Sequence, residues 1–263
     1  MVRHLEAGHG RPVVLLHAFP LSADMWRPQL DRVPDGWRFI APDFRGFQPP
    51  GSSVRPSAAS VVPSTSVDDY ARDVLDLMDG LGIETAVIGG LSMGGYVTLA
   101  VHRLAPERFA GMVLADTKAT ADTEEAKAGR RTTAEKLRAE GVDAVVEAML
   151  PKLLGETTRK KQAHIADDVR RLATANEPQA IDEAIHALMT RPDSTTTLAR
   201  IVVPTLVVVG EEDVLTPQAD AQFLARGIVR SELVVLPHAG HLSNLEAPES
   251  FSTALAQFLS RVL

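Results

Sequence analysis

"VIGGLSMGGYVTLA", residues 87–100, sets four glycines around Ser92, between an apolar run and a helix-like one. Glycine weakens a strand or helix by about 0.5–1 kcal/mol relative to alanine, so such a concentration asks for a geometric reason. "GLSMG" (90–94) is the pattern G-x-S-x-G, with the apolar run ending at Gly90 and helical spacing beginning near Gly94. It reads as a sharp strand-to-helix turn that holds a serine hydroxyl above a sheet. The turn brings the residues two before and two after the serine together, and only small side chains fit there. The alternative, a glycine-rich phosphate loop, lacks both the G-K-[ST] ending and the G-x-G-x-x-G spacing.

A nucleophilic serine needs a base, an orienting acid and an oxyanion hole. On this type of turn the three side chains follow the chain order serine, acid, histidine. His241 ends "LPHAGH" after the last apolar run, with His238 as competitor closer to the strand end. Asp213 in "GEEDVLTP" holds the acid position, with Glu211 and Glu212 as rivals. Asp116, ending "GMVLAD", is a second acid position. "HAFP" (17–20) follows the first buried run, and the backbone N–H groups of Phe19 and Met93 are the candidate oxyanion donors. His17 precedes the serine in the chain and reads as a support for that loop.

Outward from the turn, "VVLLH" (13–17), "RFIAPDF" (38–44), "TAVIGG" (85–90), "GMVLAD" (111–116), "PTLVVVGEED" (204–213) and "SELVVLPHAGH" (231–241) are strand-like, several of them continuously apolar. Continuous apolar runs suit strands buried on both faces. Helical spacing appears in "SVDDYARDVLDLMDGLGI", opened by Ser66 with Asp69 and stopped at Gly82, and in residues 95–105. It returns in "TPQADAQFLARGI" and in the C-terminal "APESFSTALAQFLSRVL", whose inner face is Phe251, Leu255, Phe258 and Leu259. Alternation of strands and helices predicts an α/β fold, a mostly parallel central sheet flanked by helices.

The alternation breaks once, between 117 and 200, where helical segments are expected at 122–139, 142–150, 156–175 and 178–190. Asp122 with Glu125 and Asn176 with Gln179 carry start signals for two of them. The expected organisation is a core of residues 1–116 and 201–263, with 117–200 inserted as a helical cap. Its apolar residues, Met149, Leu153 and Met189 among them, suit either a pocket roof or the seams between helices.

Composition narrows the function classes. The chain of 263 residues is 45% hydrophobic and 23% charged, with a net charge of −7 and no cysteine. Thiol catalysis, disulfides and thiolate metal sites are thereby excluded. The acidic balance argues against nucleic acid or anionic membranes as partners. No apolar run reaches membrane-spanning length, and "MVRHLEAGHGRP" lacks a signal-peptide pattern, so a cytoplasmic location is expected. No metal or cofactor motif is present. The Pro/Ser-rich stretch over residues 47–66 reads as a surface loop.

With "LLHAFP", "PDFRGF", "GGLSMGGYVTLA", "GEEDVLTP" and "HAGHLSNLEAPESF" in view, the chain resembles an α/β-hydrolase over nearly its whole length. It is most similar to the 3-oxoadipate enol-lactonase-like branch, a likeness carried largely by "LADTKATADTEEAKAGR" (114–130). It departs from the family pattern in Ala18, where a glycine is common, and in Gln48 after "RGF". The resemblance implies the same roles for Ser92, Asp213, His241, Phe19 and Met93, acting without a cofactor on a small-molecule ester or lactone. An enol-lactone substrate carries a carboxylate, for which Lys118, Arg130 and Arg131 are candidate clamps. Trp26, in "ADMW", is a candidate pocket wall or a packing residue. Two other readings use the same fold: a cofactor-free perhydrolase of the haloperoxidase type, and a small-molecule receptor.

Overall fold

Seven strands form one sheet in the order β1-β3-β2-β4-β5-β6-β7. They come from a computed structural model that describes residues 2–47 and 65–262; most of the Pro/Ser-rich stretch, including Gln48, lies outside the described residues. In chain order the first elements are β1 (His4–Gly8), β2 (Arg11–Leu16), α1 (Arg27–Leu30), β3 (Trp37–Pro42) and α2 (Val67–Gly80). Next come β4 (Ala86–Leu91), α3 (Met93–Leu104) and β5 (Phe109–Ala115). Four helices precede the next strand: α4 (Glu124–Leu153), α5 (Glu156–Lys161), α6 (Ala163–Thr174) and α7 (Pro178–Thr190). The chain ends with β6 (Thr205–Gly210), α8 (Gln218–Gly227), β7 (Ser231–Leu236), α9 (Ser243–Glu246) and α10 (Pro248–Leu259).

All strands from β2 to β7 run parallel, and only β1 pairs antiparallel, with β3. Every residue of β4 and β6 is buried, so helices cover both faces of the sheet. The inner face of α10 is the expected one: Phe251, Leu255, Phe258 and Leu259 are all buried. Burying each such side chain contributes about 1.5–3 kcal/mol, which fixes the C-terminal helix on the sheet. Ser66 and Asp69 form the expected capping box at the start of α2. Gly82, just past the end of α2, has φ 68°, the left-handed conformation that terminates a helix.

The inserted helices differ in detail from the pattern read in the sequence. The segments expected at 122–139 and 142–150 are present as two helical runs within α4, separated at Gly141, whose φ of 83° and ψ of −176° are not helical. The expected 156–175 divides into α5 and α6 at Gln162. Thr123, not Asp122, caps α4 by accepting from the Ala126 N–H, because the Asp122 carboxylate is held by Arg130 and Arg191. Glu177 occupies the cap position of α7, since the side chain of Asn176 donates instead to the carbonyls of Pro20 and Leu172. Among the described residues no helix is long and apolar enough to cross a membrane.

Candidate active site

The turn between β4 and α3 is as tight as its glycines imply. A Cβ on Gly90 would lie 2.4 Å from the Gly94 carbonyl carbon, and one on Gly94 would lie 2.1 Å from the Leu16 oxygen. Both neighbours are backbone and cannot swing aside, so neither position accepts a larger residue. Ser92 at the apex has φ 55° and ψ −111°, a strained conformation for a non-glycine residue. Its backbone is held from β5: the Ser92 N–H donates to Ala115 O at 2.9 Å, and Thr117 Oγ1 donates to Ser92 O at 2.9 Å.

Ser92 Oγ lies 2.8 Å from His241 Nε2, and His241 Nδ1 lies 2.9 Å from Asp213 Oδ2. His241 is 2% exposed, which places its imidazole out of bulk water. The Asp213 carboxylate also accepts from the N–H groups of Leu215 and Thr216 and from Thr216 Oγ1, at 2.8, 3.1 and 2.6 Å. Burial pushes its carboxyl up, but the His241 ring and the two Thr216 donors outweigh burial and hold it below the usual carboxylate range. With Asp213 ionised, the Nδ1 proton points at the carboxylate and leaves Nε2 free to accept from Ser92.

The rival residues have other partners. His238 is exposed, and its backbone N–H donates to Glu211 Oε2. Glu212 accepts from both the N–H and the hydroxyl of Thr157 at the start of α5. Asp116 is fully buried and bonded to Gly210 N–H and Ser243 Oγ.

The loop after β2 lies against this turn, since Gly94 abuts the carbonyls of Leu16 and His17. Ala18 N–H points at Met25 Sδ, Leu21 N–H donates to Ala18 O, and Asn176 holds Pro20 O. Among the described residues no protein acceptor meets the N–H of Phe19 or Met93. His17 supports the loop from below. Its Nε2 accepts from Phe44 N–H at 3.0 Å, so Nδ1 carries the proton and donates to Ala18 O at 3.0 Å. Its ring lies against Phe44 and Phe47.

Burial pushes the His17 imidazole down from 6.5 to about 4, against a smaller upward pull from Ala18 O. The unfolded chain therefore binds this proton across a window in which the native state does not, and stability falls as pH drops through it. Between pH 7 and 4.5 the wild type is expected to lose roughly 2–3 kcal/mol more unfolding free energy than His17→Gln. Urea titrations of both proteins at the two pH values measure this. Equal losses would remove His17 from the account.

The substrate candidates are scattered. Trp26 is buried against Phe251, with ring centroids 5.8 Å apart, and so takes the packing role instead of an open wall. Met149 and Met189 are half-buried, while Leu153 is buried and its carbonyl accepts from Leu242 N–H beside His241. Arg131 is exposed on α4, whereas its neighbour Arg130 bonds to Asp122. Arg191 also pairs with Asp122, at 2.8 Å, and lies over the Tyr96 ring. Lys118 is half-buried and lines a shallow recess with Tyr96, Arg103, Arg191 and Ser194; Ser92 and His241 are not part of that lining.

Several contacts have no counterpart in the sequence reading. Glu246 of α9 accepts from the N–H groups of Leu242 and Gly155 at 3.0 and 2.8 Å. With Leu153 bonded to Leu242 and Thr157 to Glu212, residues 153–157 are fastened to both loops that flank Ser92. Gly155 and Gly240 touch so closely that a Cβ on Gly240 would lie 2.1 Å from Gly155 N. The one local signal was Thr216 three residues after Asp213, a spacing at which a hydroxyl reaches back to a carboxylate.

Comparison with known proteins gives a consistent set of relatives. A model of the alpha/beta hydrolase fold matches residues 11–248. Over 250 residues the chain is 27% identical to 3-oxoadipate enol-lactonase 1 of Acinetobacter baylyi, covering 95% of this chain and 89% of that one. Among solved structures, a thermophilic esterase from Thermogutta terrifontis superposes with a TM-score of 0.91 at 37% identity, covering 99% of this chain and 93% of the other. The enol-lactonase from Burkholderia xenovorans superposes with a TM-score of 0.86 at 26% identity, covering 99% and 96%.

Proposed function

The chain belongs to the α/β-hydrolase fold family, and from that premise we propose that it is a serine hydrolase of small-molecule carboxylic esters or lactones. The observation that carries this reading is the unbroken relay of 2.8 and 2.9 Å from Ser92 Oγ through His241 to Asp213. Geometry of this kind moves one proton. His241 Nε2 takes it from Ser92 as the hydroxyl attacks the acyl carbon, and Asp213 steadies the imidazolium that forms. The N–H groups of Phe19 and Met93, which meet no protein acceptor among the described residues, are suited to the oxyanion, and losing one such donor typically costs about 2.7–4 kcal/mol of transition-state stabilisation. His241 then returns its proton to the leaving alcohol, and water, deprotonated by the same imidazole, clears the acyl-enzyme. In a lactone the leaving alcohol stays tethered to the acyl group.

The helices α4 to α7 act in this reading as a cap over the site, with Met149, Leu153 and Met189 on the apolar side of the substrate. The similarity to enol-lactonases makes a lactone the first cyclic substrate to test, and the similarity to an esterase supports open-chain esters.

A covalent intermediate is the direct test. Enzyme quenched in acid during turnover of p-nitrophenyl acetate is expected to carry one acetyl group, mapped by peptide mass to Ser92. Turnover with the label on another residue, or with none at any quench time, would overturn the acyl-enzyme reading.

A further inference from the structure

The end of β5 touches the Ser92 turn and the loops that carry Asp213 and His241. Ala115 O and Thr117 Oγ1 hold the backbone of Ser92 from either side. Asp116 between them reaches the other two loops. Its Oδ1 accepts from Gly210 N–H at 2.8 Å, and its Oδ2 is bonded to Ser243 Oγ. Gly210 ends β6, three residues before Asp213, and Ser243 begins α9, two residues after His241. Asp116 is fully buried and sits at φ 43°, a left-handed conformation that persists in a non-glycine residue only where the surroundings over-determine it. The relay to Ser92 depends on the separation of the two loops. The bonds from Glu212 N–H to Ala239 O and from His238 N–H to Glu211 join them directly, and Asp116, from outside both, brackets them with one bond to each.

We propose that Asp116 is a positioning residue, a single buried carboxyl that holds the Asp213 loop and the His241 loop at the spacing their hydrogen bond requires. The inference rests on the serine-hydrolase reading above. Among the described residues the carboxyl has no salt-bridge partner, and the charged groups bearing on it are acidic: Asp213 beyond β6 and Glu246 on α9. Burial first, and then the Asp213 charge, push the carboxyl well above the usual carboxylate range. Its Oδ2 accepts from Ser243 Oγ and its Oδ1 from Gly210 N–H, so an uncharged donor from each loop holds the carboxyl. Its two hydrogen bonds go to Gly210 and Ser243 and not to His241, which separates this role from that of a second catalytic acid.

The test compares Asp116→Ala and Asp116→Asn in the full chain. It reads kcat, the pH profile of kcat/KM, and the low-field proton resonance of His241 Nδ1–H without substrate. Asp116→Ala is expected to lower kcat by about 10²-fold with KM nearly unchanged, the usual scale for a displaced catalytic group, and to broaden the resonance. Asn can span the same two contacts, its Oδ1 accepting from Gly210 N–H and its Nδ2 donating to Ser243 Oγ. It is expected to recover most of kcat, keep the resonance, and leave the acid limb of the pH profile where the wild type has it.

If Asp116 acted through its charge and not through its two hydrogen bonds, Asp116→Asn would move that limb to lower pH, because the imidazolium would lose a stabilising neighbour. That shift overturns the proposal, as does an Asp116→Ala protein with wild-type kcat and resonance. Should Asp116→Ala fail to fold, Ser243→Ala removes one arm alone and is expected to lower kcat roughly tenfold; wild-type kcat there overturns the proposal equally. Turnover surviving Ser92→Ala would sink the serine-hydrolase reading, while the resonance would still report whether Asp116 positions His241.

Discussion

Ser92→Ala is expected to lower kcat for p-nitrophenyl acetate by about 10⁶-fold, with KM within a few-fold of wild type. The substitution removes one oxygen, the atom 2.8 Å from His241 Nε2, and leaves the turn itself intact. Alanine meets the same backbone at φ 55° as serine does, so the strain is unchanged and the protein should unfold at nearly the wild-type temperature. What remains is what the oxyanion donors and substrate binding supply alone, roughly 10³–10⁴-fold over water. Wild type and variant assayed side by side at pH 7.5 give the answer, with active-site titration excluding traces of wild-type protein. Equal rates in the two proteins would mean that Ser92 is not the nucleophile.

Asp213→Asn carries the second largest effect, a loss of about 10⁴-fold in kcat. Asparagine fits the volume and keeps an oxygen for the Leu215 and Thr216 amides. Its NH₂ then faces Thr216 Oγ1 and His241 Nδ1, both of which sit on Oδ2 in the wild type. A donor opposite Nδ1 forces the imidazole proton onto Nε2, where it faces Ser92 and blocks proton uptake. The defect is one of tautomer, so KM and the unfolding midpoint should change little. Glu211→Gln and Glu212→Gln, whose parents bond to His238 N–H and Thr157, serve as controls with far smaller losses in kcat. A variant within tenfold of wild type at Asp213 would move the acid elsewhere.

The parallel strands were legible because a strand buried on both faces must be apolar throughout, as β2, β4, β5 and β6 are over most of their length. β1 was missed for the converse reason. "HLEAG" is a half-exposed antiparallel edge strand with no apolar run. Helix starts were misplaced where a polar residue has a long-range partner: Asp122 is taken by two arginines and Asn176 by the Pro20 carbonyl. A capping pattern records only local options, and these tertiary bonds compete for the same oxygen or amide.

The candidate site divides along the same line. Chain order and strand ends were enough to single out Ser92, Asp213 and His241, which the fold brings within hydrogen-bond reach of one another. The long-range pairs around them were not legible, and Asp116 stood out only as a second acid position. Asp116 and Ser243 stand 127 positions apart, and Gly155 and Glu246 stand 91 apart. No local spacing encodes such pairs. The substrate side was least legible, because Met149 and Met189 fit the seams between helices as well as they fit a roof.

The fastening of residues 153–157 bears on how modular this protein is. The inserted helices look like a unit that could be exchanged for another to change substrate range, with cuts at its two ends in sequence. The actual seam runs through the middle of the insertion, where Leu153, Gly155 and Thr157 bond to Leu242, Glu246 and Glu212. A graft that replaces everything from 117 to 200 also discards contacts of the host's own loops that carry Asp213 and His241. A transplanted insertion is compatible only if it carries its own equivalent of 153–157, with a glycine facing Gly240, or if that short segment of the host is left in place.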